Sequence, residues 1–466
     1  MGEKMKWLKS KVGRLCVSIL IAVMSITPVM AESIQVDPSD WAIDTIIEGQ
    51  NYGIYPLDWH KNFNANITKE NIHTLREGVS AKILSVEGVS LKKDAQLLQV
   101  TSTTKEEVLK QLFGVLMQFN YPVDMGFANT EAISFVEQQG IIDNKLNLNK
   151  TCTIEEAIVY STKLVDYVYN KLNAGTKGYL FKVDGGKNKV YLLGSVHVAD
   201  SRVYPFNEKV LEVYKQADVV GFEIDIVDSQ DYQKFIQLTR YSDGSCLKDH
   251  VSKETYELVV ECGKEIGLSE VNVNKLKPWY LSNYISTQSV QGSRQVETAE
   301  EAIDYGIDNY FYYKAYGDGK EIVGLESYEL QAKMFDSFSD ELQEYLLLES
   351  IYGFVYNTFY TEEIEEAEET NVSWVDLIKD GDIEGFRTYY TMDDTYLGDV
   401  DLTSEYRDKL LTQRDNKMAE KIKGYLQDES GKKYLIIVGA GHYISPTYNG
   451  VVDQLEKSGY TITQIK

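Results

Sequence analysis

Four cysteines, seven prolines and five histidines are few for a chain of 466 residues, and each shortage narrows what the chain can be. Cys16, Cys152, Cys246 and Cys262 form no C-x-x-C pair and no zinc-knuckle spacing, so neither a disulfide-built scaffold nor a thiolate metal site organises the fold. A single Cys246–Cys262 bridge stays open, although small buried apolar residues are the simpler reading. Seven prolines beside 34 tyrosines argue against a long disordered stalk. Basic residues are also in deficit: 47 Lys and Arg face 72 Asp and Glu, a formal net charge of −25, with no concentrated basic patch. Such a chain repels phosphate backbones, so nucleic acid is excluded as a partner. There is no H-E-x-x-H helix, which excludes the zincin arrangement. Beyond residue 31 no segment is long and apolar enough to span a bilayer.

The start of the chain is different. Lys4, Lys6, Lys9, Lys11 and Arg14 precede the apolar run LCVSILIAVMSITPVMA, which closes on Val29-Met30-Ala31. A charged start, a short apolar stretch and small residues at its end make residues 1–31 a secretory signal peptide, with the mature chain expected to begin at Glu32 outside the cytoplasmic membrane. Removing five basic groups and one acid takes the formal charge from −25 to −29.

The length implies two or three domains. Residues 32–173 carry helical patterns: Trp41, Ile43, Ile46 and Ile47 at helical spacing, then a helix with Thr68 as its N-cap, then two further helices in ANTEAISFVEQQGII and CTIEEAIVYSTKLVDYVY. From residue 174 to 466 the pattern changes to short apolar strands alternating with long helices. GYLFKV and KVYLLGSVH flank a turn at Asp184-Gly185-Gly186, and DVVGFEID, KEIVGLE, KYLIIVGAGH and YTITQIK follow. Helices are expected at 206–217, 252–266, 339–359 and 403–427. The fold class is therefore α/β, a mixed β-sheet flanked by helices and preceded by a smaller all-helical domain. The acidic run at 361–370 reads as a solvated helix or loop.

Two strand ends share a design. Leu192-Leu193 runs into Gly194-Ser195-Val196-His197, and Ile437-Val438 into Gly439-Ala440-Gly441-His442. In open α/β sheets, sites gather beyond the carboxyl ends of strands. Glycine there lets the backbone turn sharply or approach a ligand, and imidazole binds metals or moves protons near neutral pH. A third strand end supplies Glu223 and Asp225, which strand alternation would place on one face. Two histidines and a carboxylate are the ligand set of many catalytic metal sites. Histidines at strand ends are also commonly hydrogen-bonded structural residues, and the residues alone leave both readings open.

Two resemblances bear on this. Trp41-Ala42, Gly53-Ile54, Phe63 and Ile67-Thr68-Lys69-Glu70, and again Gly140-Ile141 with Thr153-Ile154-Glu155-Glu156, resemble degenerate S-layer homology modules, which implies a cell-wall polymer as a partner of residues 32–173 and a wall-associated location. A plain packing or partner-binding domain is the alternative. Residues 176–466 resemble the TraB/GumN family, to which the Tiki metalloproteases are related, through LLGSVHVADSRVYP, ADVVGFEID, LKPWYL, YGIDNYFYYKA, KEIVGLES, QRDNKMAEKI and VGAGHYISPTYNGVVDQLEKSGYTI. The resemblance maps the family's two G-x-x-H motifs, strand acid and Arg-Asp pair onto His197, His442, Glu223 and Arg414-Asp415. It implies a secreted, metal-dependent hydrolase acting on a peptide or protein: His197 and His442 binding a divalent ion, Glu223 as third ligand or as base, and Arg414 stabilising the developing oxyanion. Manganese, cobalt and zinc all suit that ligand set. A non-catalytic exported protein binding a peptide or cofactor is the alternative on the same fold. The long tyrosine-rich span between the motifs and the amino-terminal domain lie outside the family's core pattern.

Overall fold

The computed structural model describes residues 38–127, 130–226, 229–288, 299–359, 374–389, 397–444 and 449–466. The expected signal peptide and the acidic run at 361–370 lie outside the described residues. The chain divides into two compact units: one runs to Lys177 and takes back Ser201–Leu211, and the other holds Gly178–Asp200 and Glu212–Lys466. Among the described residues no helix is long and apolar enough to cross a membrane.

The first unit is helical: α1 (Ile43–Asn51), α2 (Lys69–Leu84), α3 (Lys105–Leu116), α4 (Ala132–Gln138) and α5 (Ile154–Leu172), with a two-residue ladder between β1 (Ser90–Leu91) and β2 (Phe119–Asn120). Thr68 caps α2: its Oγ1 accepts the Asn71 N–H at 3.1 Å, while Asn71 Oδ1 accepts the Thr68 N–H at 3.0 Å. Thr153 and Glu156 make the same reciprocal pair at the start of α5. The segments around Thr68 and Thr153 are thus helix N-termini whose hydroxyls serve the backbone. The face of α1 differs from the expected one. Trp41 and Ile47 are 59% and 48% exposed, whereas Ala42 and Ile46 are buried. Gly49 sets this rotation, because a Cβ there would lie 2.4 Å from Thr162 Oγ1, so the helix meets α5 along its small-residue face.

The second unit is built on six strands: β3 (Tyr179–Asp184), β4 (Lys189–Ser195), β5 (Val219–Phe222), β6 (Glu321–Gly324), β7 (Lys433–Gly439) and β8 (Thr461–Gln464). Their spatial order is β6-β5-β7-β4-β3-β8. The first four run parallel, and β3 and β8 are antiparallel to their neighbours. Past their opening lysines the central strands β4 and β7 are mostly apolar and buried, as a sheet covered on both faces requires. Helices α6 (Ser229–Leu238), α7 (Lys253–Glu265), α8 (Pro278–Gln288), α9 (Ile307–Gly317), α10 (Tyr328–Asp336), α11 (Asp340–Phe359), α12 (Val400–Arg407), α13 (Gln413–Gln427), α14 (Ala440–Ile444) and α15 (Val451–Lys457) connect them. The tyrosine-rich middle of the chain forms its own aromatic core, in which Trp279 stacks on Phe335 at 5.6 Å beside Phe235, Tyr328, Phe338 and Tyr406.

Candidate functional site

Strands β5, β7 and β4 lie side by side and parallel, so their carboxyl ends share one edge of the sheet. His197 follows β4 by two residues, Glu223 follows β5 by one, and His442 stands in α14, which continues directly from β7. The structure brings the three together. His197 Nε2 and His442 Nε2 each lie 3.7 Å from the same Glu223 Oε1.

Both imidazoles are held from behind. His197 Nδ1 meets Asp308 Oδ2 at 2.6 Å, and His442 Nδ1 meets Asp415 Oδ1 at 2.5 Å. With Nδ1–H donating to a carboxylate, each ring turns its Nε2 toward Glu223, the arrangement in which a histidine serves as a metal ligand. The two sides differ in exposure: His197 and Asp308 keep 22% and 24% of their side chains open, whereas His442 and Asp415 keep 4% and 0%. The Nε2 of His197 is buried and has no hydrogen-bond partner.

Glu223 is clamped. Its Oε2 accepts from Arg414 Nη2 at 2.6 Å, and its Oε1 accepts the Gly439 N–H at 2.8 Å. Burial would raise its pKa, but Arg414, His442, His197 and the Gly439 N–H together hold it at about 2. For His197 burial acts downward, yet the carboxylates of Asp308 and Glu223 carry it up to about 9. Asp415 is pushed up to about 6 by burial, against the pull of His442 and Arg414.

Arg414 is 1% exposed, and its Nε and Nη2 reach Glu326 Oε2 at 2.9 and 2.8 Å while Nη1 donates to the Leu410 carbonyl at 3.4 Å. The expected oxyanion donor is therefore occupied: two glutamates and a carbonyl share its guanidinium, which anchors Glu223 rather than facing open space. The Glu223–Asp225 pairing also changes. Strand β5 stops at Phe222, so alternation no longer governs the two, and Asp225 instead accepts a hydrogen bond from the Tyr312 hydroxyl.

The two glycine motifs prove not to be equivalent. Ser195, not Gly194, is the ladder partner of Gly439, and neither glycine adopts a positive φ. What they provide is space. A Cβ on Gly194 would lie 3.1 Å from Ala440 Cα, and one on Gly439 would lie 3.2 Å from Glu223 Oε1 and 3.8 Å from His197 Nε2.

Asp308 and Glu326 were not among the candidates. Glu326 had a signal: Val323-Gly324-Leu325-Glu326 repeats Val220-Gly221-Phe222-Glu223, and the two glutamates end neighbouring strands and clamp one arginine. Asp308 had none, because an acid in the first turn of a helix is ordinary. Its placement comes from backbone pairing: the Ile307 N–H donates to the Val196 carbonyl at 3.0 Å, with Gly306 so close that a Cβ would sit 2.5 Å from the His197 carbonyl oxygen.

A curated relative from Nematostella vectensis, described as "Metalloprotease TIKI homolog", is 19% identical over 318 residues, which cover 59% of this chain and 64% of that protein. The chain thus spans less than two thirds of that relative's length. No solved structure matches. The model of the TraB/PrgY/gumN family matches residues 179–464, which include every strand of the six-stranded sheet and all the residues that converge at its edge. The chain belongs to the TraB/PrgY/gumN family.

Proposed function

We propose that the protein is a metal-dependent hydrolase cleaving peptide bonds, with His197, His442 and Glu223 holding one divalent ion. The observation that carries this reading is the pair of Nε2 atoms turned onto one carboxylate oxygen, each ring anchored at Nδ1 by a separate acid. Among the described residues no group of three or more His, Cys, Asp or Glu is placed so that, as it stands, it could hold a metal ion. The gap is small: ligand atoms about 2.1 Å from a tetrahedral ion stand about 3.4 Å apart, a few tenths of an ångström inside the 3.7 Å separations here. The charge balance points the same way, since four carboxylates, Glu223 and Glu326 on Arg414, Asp308 on His197 and Asp415 on His442, outnumber the Arg414 guanidinium and the raised His197 imidazole. A divalent cation would offset that buried negative excess.

Such an ion supplies Lewis acidity and eases deprotonation of water. The chain's own groups do the rest. Asp308 and Asp415 fix the tautomer and direction of the imidazoles. Arg414 and the Gly439 N–H hold Glu223 ionised and still, which suits a ligand better than a base that must move a proton. The greater exposure of His197 and Asp308 supports substrate entry from their side. A peptide as substrate is supported by the name of the distant relative.

Metal analysis of the purified protein, followed by cleavage of a peptide library with and without chelator, tests the reading. Stoichiometric manganese, cobalt or zinc with chelator-sensitive cleavage is expected. Bound metal without cleavage of any peptide would instead favour a non-catalytic binder, and absence of metal binding would overturn the site. We also propose export, supported by the composition of residues 1–31; amino-terminal sequencing of the cell-surface protein should return Glu32, and Met1 would refute it.

A further inference from the structure

With Arg414 committed to two glutamates, no side chain so far described is free to meet a substrate's carbonyl oxygen. One buried group near the site is unassigned. Ser195 is the last residue of β4 and 2% exposed, and its hydroxyl has no hydrogen-bond partner. It is the ladder partner of Gly439 on the parallel strand β7, and partners in such a ladder send their side chains to the same face. That face is known from Gly439, whose Cβ direction meets Glu223 Oε1, His442 Cδ2 and His197 Nε2 within 3.8 Å. The opposite direction, seen from Gly194, meets Ala440 and Tyr179. The Ser195 hydroxyl therefore lies on the side of the sheet where the imidazoles and Glu223 converge. A buried hydroxyl left without a partner costs roughly 1–3 kcal/mol, so its retention here calls for something that satisfies it.

We propose that Ser195 is a catalytic residue whose Oγ–H donates a hydrogen bond to the carbonyl oxygen of the bound substrate. This rests on the hydrolase reading above. In amide hydrolysis the water oxygen adds to the carbonyl carbon, the C–N bond breaks, and the water's proton ends on the departing amine. Negative charge builds on the carbonyl oxygen in between, and a donor aimed at it is worth about 10²–10³ in kcat.

The test uses the full chain with Ser195→Ala and Ser195→Thr, reading peptide turnover, metal affinity, thermal unfolding and the affinity of the metal-loaded protein for acetohydroxamate, a small carbonyl chelator that needs no substrate sequence. Ser195→Ala should lower kcat about 100-fold with KM and metal affinity unchanged, keep or raise the melting temperature because the unpaired hydroxyl is gone, and bind acetohydroxamate about tenfold more weakly. Ser195→Thr, which keeps the hydroxyl, should recover most of both. Unchanged turnover and probe affinity in the alanine variant would overturn the assignment. Loss of metal by that variant would also overturn it, making Ser195 a ligand. Should the wild-type protein bind metal yet cleave nothing, the hydrolase reading falls while the probe still decides: weaker acetohydroxamate binding by the alanine variant supports Ser195 as the carbonyl donor, and equal binding refutes it.

Discussion

Arg414 shows how a residue's surroundings redefine its role. It is buried between Glu223 and Glu326, and a glutamine in its place would leave two carboxylates confined together with no cation between them. Breaking a buried pair in this way costs about 3–5 kcal/mol. Arg414→Gln should therefore lower stability by that order in urea unfolding, and adding Glu326→Gln should restore part of the loss, because one of the stranded charges is then gone. A purely catalytic arginine would show neither effect. Gly439→Ala makes the opposite prediction. Its methyl would press on Glu223 Oε1 from 3.2 Å, so metal affinity measured by calorimetry should fall at least tenfold while the melting temperature changes little. The residues that sequence reading found, His197, Glu223 and His442, were legible because each is a polar side chain closing an apolar run. Asp308 was not, because its partner lies 111 residues away and only the fold joins them. Arg414 was found by resemblance alone, and its engagement by a second glutamate was not legible because Glu326 was not counted.

At the level of elements, the helix carrying Arg414 and Asp415 is preceded by a π-turn at Asp408–Thr412, between α12 and α13. A π-turn holds one extra residue and so rotates everything after it by about 100° relative to an uninterrupted α-helix. The two adjacent buried side chains depend on that rotation to reach Glu223 and His442 respectively. Deleting Lys409 should convert the turn to α-helix and abolish metal binding, with helical circular dichroism retained. Retained binding would show that the turn is incidental. In the helical unit, Asp166 on α5 accepts from the Tyr52 hydroxyl at 2.7 Å, and burial, assisted by the charge of Glu48, raises its pKa to about 7. The unfolded chain releases this proton near pH 3.9. The folded state thus binds the extra proton between about pH 4 and 7, so stability falls as pH rises through that window. Hydrogen exchange of the α5 amides should be slower at pH 4.5 than at 7.5 after correction for intrinsic rates, and Asp166→Asn should flatten the difference. Strands were legible at this scale from apolar runs and turn residues. The face of α1 was not, because Gly49 decides it and glycine leaves no hydrophobic mark.

For the whole molecule, the division into a helical unit and an α/β unit follows from composition: one stretch has helical spacing throughout, the other alternates. The order of the strands is another matter. Nothing in the run KYLIIVG says that β7 lies between β4 and β5 rather than at an edge, since all three are apolar enough to be central. That insertion sets a timetable. During synthesis β4 and β5 emerge more than 200 residues before β7, and until it arrives β3–β4 and β5–β6 are two separate ribbons with no shared neighbour. Long-range pairing of this kind is late and slow. His197 and Glu223 consequently wait, already made but apart, for the strand that brings them within reach and carries His442 with it. A chain stopped at Lys432 should hold no metal and should expose apolar surface to a dye such as ANS. The nascent protein would then remain without its proposed activity until synthesis has passed β7, a safeguard built from strand order alone.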